Sequence, residues 1–198
     1  MAYTDIDDPT AYFQTKLYTA ADAYTFDGNS DMQPDWMWIK ERNGTNEHNL
    51  FDSVRGTTKR LESSTTALEQ ASSTTLTAFG SDGFTVGNNP GTGQNGGNYV
   101  GWGWKAGTAF SNDASATSVG NIDSQGSVNQ TAGFSIIKWS GNGSNDQQIA
   151  HGLGAAPAWW IVKRRNADVD WYTVHKSTIA DYHDDYFLAV SLATFSEG

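Results

Sequence analysis

Large apolar residues in this chain come in short runs bounded by turn residues, and one such run occurs twice. "PDWMWIKERN" at 34–43 sets Trp36, Met37, Trp38 and Ile39 in a row, alternates Lys40 with Arg42, and closes on Asn43. That is the pattern of a buried strand running out into a turn. "PAWWIVKRRN" at 157–166 repeats it at a spacing of 123 (157 − 34), with Trp36 on Trp159, Lys40 on Lys163, Arg42 on Arg165 and Asn43 on Asn166. The register continues to Phe51 on Val174 and Asp52 on His175. Upstream, "FQTKLYTA" at 13–20 matches "FSIIKWSG" at 134–141 at a spacing of 121 (134 − 13), placing Phe13 on Phe134 and Tyr18 on Trp139. The pattern predicts one β unit, present twice.

In its first copy the unit runs on through "FGSDGFTVG" at 79–87 and "NYVGWGWKAG" at 98–107. Period-two alternation in the latter puts Tyr99, Gly101 and Gly103 on one strand face and Val100, Trp102 and Trp104 on the other. No counterpart of these two strands follows the second copy. The second unit is therefore expected to be incomplete, finishing its sheet with strands from elsewhere in the chain or from another subunit, or else shortened from its natural length. Helix is scarce: "TTALEQASS" at 65–73 reads equally well as a short helix or a loop. The small, polar segment 106–133 reads as a linker with at most one short strand around Ile122. The expected organisation is a first β unit with an N-terminal arm at 1–107, a polar linker at 108–133 and a truncated second unit at 134–198. The expected fold is an all-β sandwich, jelly-roll or lectin-like.

Composition agrees with this reading and narrows the partners. Eight Trp, eight Tyr, nine Phe and 21 Gly in 198 residues favour strands and turns over helices. A net charge of −10 removes the attraction to phosphate on which nucleic-acid binders depend. The longest apolar run, "AAPAWWIV", is interrupted by Pro157 and far short of a membrane span. The acidic, polar start "MAYTDIDDPT" is unlike a secretory signal and predicts a cytoplasmic translation start. Without cysteine there is neither a disulfide framework nor thiolate zinc.

Candidate chemistry is thin. "GTGQNG" at 91–96 fits G-x-G-x-x-G, yet an alternating strand follows it rather than a helix, so a hairpin loop is the better reading and no cofactor is expected. Asp181, His183 and Asp185 would share one face of a strand as metal ligands, but carboxylate clusters are commonplace in so acidic a chain and no metal is expected. His48, Asp52 and Ser53 lie close in sequence without the separate, converging segments a serine hydrolase needs. No catalytic residues are expected.

Two residue sets remain as candidate contacts. Lys40 with Arg42, and Lys163 with Arg165, would each leave a strand on one face, either pairing with local carboxylates or meeting an acidic neighbouring subunit. Trp36, Trp38, Trp159 and Trp160 sit in continuous apolar runs and are expected in the core. Trp102, Trp104 and Trp171, among glycines or polar residues, are the candidates for exposure.

"DMQPDWMWIKERNGTNEHNLFDSVRG", "SDGFTVG" and "YVGWGWKAG", followed by "HGLGAAPAWWIVKRRN" and "YTVHK", resemble a family of virion structural proteins of tailed phages of the marine podovirus type. Members are tail-fibre-like or uncharacterised virion proteins, and the relatives continue past a second copy of the "DGFTVG" and "YVGWGWKAG" strands. The resemblance implies a non-enzymatic component of the phage particle, made in the host cytoplasm, most simply in the tail or tail fibre, for assembly anchoring or host attachment. The implied partners are other virion proteins and further copies of itself, as a trimer if it belongs to a fibre. The alternatives are a glycan-binding module contacting host surface polysaccharide, through exposed Trp102 or Trp171, and a capsid decoration or head-fibre protein.

Overall fold

The protein is described by a computed structural model covering residues 6–143 and 147–177, together with the backbone of two short strands at 186–189 and 195–197. The first strands in chain order are β1 (Phe13–Thr19), β2 (Asp22–Tyr24), β3 (Trp36–Glu41), β4 (Asn49–Asp52), β5 (Lys59–Glu62), β6 (Gln70–Ala71), β7 (Leu76–Gly80), β8 (Gly83–Val86) and β9 (Asn98–Trp104). There follow β10 (Thr108–Asn112), a single helical turn α1 (Ala114–Thr117), β11 (Ser124–Asn129), β12 (Phe134–Trp139), β13 (Trp159–Lys163), β14 (Trp171–His175), β15 (Tyr186–Ala189) and β16 (Phe195–Glu197). The fold is all-β and of sandwich type, as the alternating sequence predicts.

A six-stranded antiparallel sheet, ordered β1-β9-β3-β4-β5-β6, packs on the three-stranded sheet β2-β8-β7. Between them lies the main core: Tyr18, Met37, Ile39, Phe51 and Tyr99 from the larger sheet meet Leu76, Phe84 and Val86 from the smaller, with Phe26 and Met32 filling in from the connecting loop. β9 explains its own sequence. Its Tyr99, Gly101 and Gly103 face the core and its Val100, Trp102 and Trp104 face away. The glycines are a packing requirement, since a Cβ on Gly103 would lie 2.7 Å from Phe26 Cζ, and one on Gly101 would lie 3.0 Å from Met37 Cε.

The duplication is visible in the strand ladders. In the β3–β4 hairpin Trp36 pairs with Asp52, Met37 with Phe51, Trp38 with Leu50 and Ile39 with Asn49. In the β13–β14 hairpin Trp159 pairs with His175, Trp160 with Val174, Ile161 with Thr173 and Val162 with Tyr172. Every pair is displaced by the same 123 positions, so the two hairpins share one register. The upstream strands agree less. β1 pairs with β9, whereas its sequence counterpart β12 pairs with β11.

One local expectation is corrected, and one alternative left open is decided. The segment 108–133, read as a polar linker, holds β10, α1 and β11, which build the sheet β10-β11-β12. Its small residues are what that sheet requires: a Cβ on Gly126 would lie 2.4 Å from the Ile136 carbonyl oxygen and 2.5 Å from the Phe110 ring. Within "TTALEQASS" there is no helix; residues 65–69 form a loop that leads into β6.

Candidate interaction surface

The outward face of the larger sheet is aromatic. The register sets Phe13, Trp104 and Trp36 side by side, and next to them Thr15, Trp102 and Trp38. Ring centroids of Trp36 and Trp104 are 5.0 Å apart, and Trp102 meets Trp38 edge-on at 6.1 Å. Such rings would leave a large apolar patch in water, and later parts of the chain cover much of it. Phe134 of β12 stacks on Trp36 at 5.7 Å. From β13 and β14, Ile161 and the buried Trp171 join Leu50, Leu61, Trp36 and Trp38 in a second apolar cluster. Trp102 and Trp104 are half-buried.

Trp171 is thus corrected from an exposed candidate to a core residue, 6% accessible, with its Nε1 donating to the Glu62 carbonyl at 2.8 Å. Its polar flanks in sequence say nothing of the sheet that lies over it. The counterpart of Trp171 in the first copy is His48, whose Nδ1 accepts a hydrogen bond from Trp38 Nε1 at 2.9 Å. Burial, reinforced by the Lys40 charge, lowers the His48 pKa below its ordinary 6.5 and favours the neutral form that this bond needs.

The repeated basic residues divide by role. Lys40 Nζ donates to the carbonyls of Glu41 (2.8 Å), Gly44 (3.3 Å) and Asn46 (2.8 Å). Lys163 Nζ donates to those of Ala167 (3.3 Å), Val169 (2.6 Å) and Thr66 (2.9 Å). Gly44 and Ala167, like Asn46 and Val169, stand in the same 123-residue correspondence, so one lysine-filled turn has been copied along with the hairpin. All three ammonium donors are used within the chain, which removes Lys40 and Lys163 as interface cations. Burial also depresses the Lys163 pKa, against the pull of Asp168 and Asp170.

Arg42 lies beyond the end of β3 and Arg165 beyond the end of β13, so neither shares a strand face with its lysine. Arg42 is exposed and carries no ion pair among the described residues. Arg165 grips Glu69 with Nε and Nη2, both at 2.8 Å. Glu69 also receives Arg55 Nη1 at 3.1 Å, and Arg55 pairs with Asp52. Burial works against the Glu69 carboxylate, but the bonds from Arg165 and Arg55 outweigh it and hold its pKa below the ordinary value. The Glu69 bonds raise that of Arg165 in return. Sequence reasoning missed Glu69 because nothing local marks a partner 96 residues away.

At two positions the other face of the second hairpin is more accessible than its match in the first copy. In the first copy Met37 is 0% accessible and Asn49 1%; at the matching positions Trp160 is 38% and Tyr172 39% accessible. Trp159, the match of Trp36, is 52% accessible. The expectation that Trp159 and Trp160 lie in the core is therefore corrected, whereas their first-copy counterparts are at least half-buried. Among the described residues nothing plays for β13 the part of β9, which pairs with β3 from Trp36↔Trp104 to Glu41↔Tyr99.

The remaining candidates are structural. Ser53 Oγ donates to Asp35, Asp52 is held by Arg55, and His48 faces Trp38, so the three do not converge. A cleft of about 400 Å³ lies between Asp35, Ser53 and Val54 on one side and Phe110, Gly126 and Lys138 on the other. Its carboxylate is already engaged, since Asp35 accepts from Ser53 Oγ and from the Ala106 and Gly107 amides. "GTGQNG" is a loop whose Gly91 and Thr92 carbonyls accept from Asn49 and Tyr18, with β9 directly after it. Among the described residues no group of three His, Cys, Asp or Glu could hold a metal ion, and Asp181, His183 and Asp185 lie outside the described residues. No described helix is long and apolar enough to cross a membrane.

Comparison with known families gives a match over residues 8–196 to a domain of unknown function, DUF7483. The chain belongs to this family. Searches of curated proteins and of solved structures returned no match.

Proposed function

We propose that this chain is a non-enzymatic structural protein of a phage particle, a component of the tail or its fibres that anchors an assembly or presents a surface to the host. One observation carries the reading: β13 exposes Trp159 and Trp160 on a strand whose second edge has no partner among the described residues. Exposed tryptophans beside an open sheet edge are a liability for a free protein and an asset for one docked to a neighbour. The motif resemblance supports the particle. Its partners are then other virion proteins, and a place in a fibre would call for a three-fold homo-oligomer. A glycan-binding groove is less well supported, because Trp171 is buried and Trp102 packs edge-on against Trp38.

Purified particles of a phage encoding this chain, analysed by mass spectrometry and then reconstructed with the chain labelled, provide the test. Recovery of the chain at stoichiometric copy number in the tail is expected. Absence from the particle would overturn the proposal, and density on the head would replace it with the capsid-decoration alternative.

A further inference from the structure

We propose that Asn95–Gly96 is a site of spontaneous covalent modification, at which Asn95 loses its side-chain amide to give aspartate and isoaspartate, whereas the same dipeptide at Asn43–Gly44 is held unreactive by the fold. The modification is intrinsic to the chain and holds whatever its neighbours in an assembly are.

When glycine follows asparagine, the next backbone nitrogen can approach the side-chain carbonyl carbon, because glycine has no Cβ in the way and a wide choice of backbone conformation. The Gly96 nitrogen gives up its proton to solvent and forms a C–N bond to Asn95 Cγ. The Asn95 side-chain nitrogen takes up a proton and leaves as ammonia. Water then opens the resulting cyclic imide at either carbonyl. One opening restores the original backbone as aspartate, and the other routes the backbone through the side chain as isoaspartate. Nothing is oxidised or reduced, and either product has a carboxylate where a neutral amide stood.

The reaction needs a side chain and a following amide that are both free to move. Asn95 and Gly96 are exposed, in a turn closed by the Gly97 amide donating to the Gln94 carbonyl at 3.0 Å. Among the described residues neither the Asn95 side chain nor the Gly96 amide makes a hydrogen bond. Gly96 has a φ of +86°, and nothing lies within 4 Å of the place where its Cβ would fall, so no neighbouring group restrains the approach.

The other aspartyl- or asparaginyl-glycine pairs of the first unit are tethered. Asn43 Oδ1 accepts from the Asn98 amide at 2.7 Å, and its Nδ2 donates to the Gly96 carbonyl at 3.1 Å. The turn that carries Gly44 is also filled by Lys40, which donates to the Glu41, Gly44 and Asn46 carbonyls. In Asp27–Gly28 the glycine amide donates to Gln14 Oε1 at 2.8 Å, and Asp27 pairs with Lys16. In Asp82–Gly83 the glycine amide donates to the Met32 carbonyl and Asp82 accepts from the Met32 amide, both at 3.2 Å. The sequence marks Asn43 and Asn95 alike, and their hydrogen bonds separate them. Asn142–Gly143, in the second unit, adjoins residues outside the description.

The test ages the full chain in mildly alkaline buffer, folded and in unfolding urea, and follows both sites by peptide mapping with mass spectrometry and by enzymatic methylation of isoaspartate. In the folded chain, product is expected to form at Asn95 about tenfold faster than at Asn43 or more, the scale of breaking the two hydrogen bonds that hold the Asn43 side chain. In urea the two rates should converge, because the tethers are gone and the dipeptide is the same. Comparable rates in the folded chain, or no product at Asn95 there, would overturn the proposal. A preference for Asn95 that persisted unchanged in urea would assign it to flanking sequence and overturn the protective role of the fold.

Discussion

Lys40 and Lys163 each direct an ammonium onto three backbone carbonyls, so their replacement by methionine keeps the stem and removes only those bonds. For half-exposed groups we expect K40M and K163M each to lose about 1–2 kcal/mol in urea unfolding. An unchanged midpoint would return both lysines to the surface as contact residues. The tryptophans give a sharper contrast. Trp171→Ala opens a cavity between the two units and should cost about 3–5 kcal/mol, while Trp159→Ala should stay within about 0.5 kcal/mol. Equal losses, measured in the same denaturant series, would mean that Trp159 is packed in solution.

β9 is the element on which the first unit depends, because it joins β1 to β3 and brings two glycines against the core. Valine at either position must displace neighbours, Phe26 and Pro34 for Gly103, Met37 and Phe84 for Gly101. We expect Gly101→Val and Gly103→Val to destabilise by about 1–3 kcal/mol, with Gly103→Val the worse because its Cβ would fall closer to an aromatic ring. Thermal melts followed by circular dichroism would decide the order. "NYVGWGW" announces this in its alternation, since a strand with glycine on one face and tryptophan on the other must lie against a crowded wall. By contrast β10 and β11, built from small polar residues, carry no apolar alternation and were invisible as strands until their ladder formed.

At the scale of the molecule, Arg165 fastens the second hairpin to the first unit through Glu69, with Arg55 behind it. The folded Glu69 pKa lies below the ordinary 4.5, so the carboxylate contributes stability above that value and loses it as pH falls through the folded pKa. We expect the thermal midpoint to drop on acidification below about pH 4.5, and Glu69→Gln to lower the midpoint at neutral pH while flattening that drop. A Glu69→Gln protein with the wild-type pH profile would show that the clasp contributes nothing in solution.

The sequence by itself determined the repeat, its hairpin register and the face on which each strand residue stands. These follow from local rules: side chains alternate along a strand, and identical spacing in two copies imposes identical pairing. Only the tertiary structure decided which of those faces is covered. Trp36 and Trp159 occupy the same place in the same pattern, yet Phe134 and Trp104 shield the first and nothing comparable among the described residues shields the second. Trp171 looks polar in its surroundings and is buried because Leu50 and Leu61 of the other unit lie against it. Burial depends on what arrives opposite a residue, here from about a hundred positions away, and a strand pattern carries no record of its neighbour.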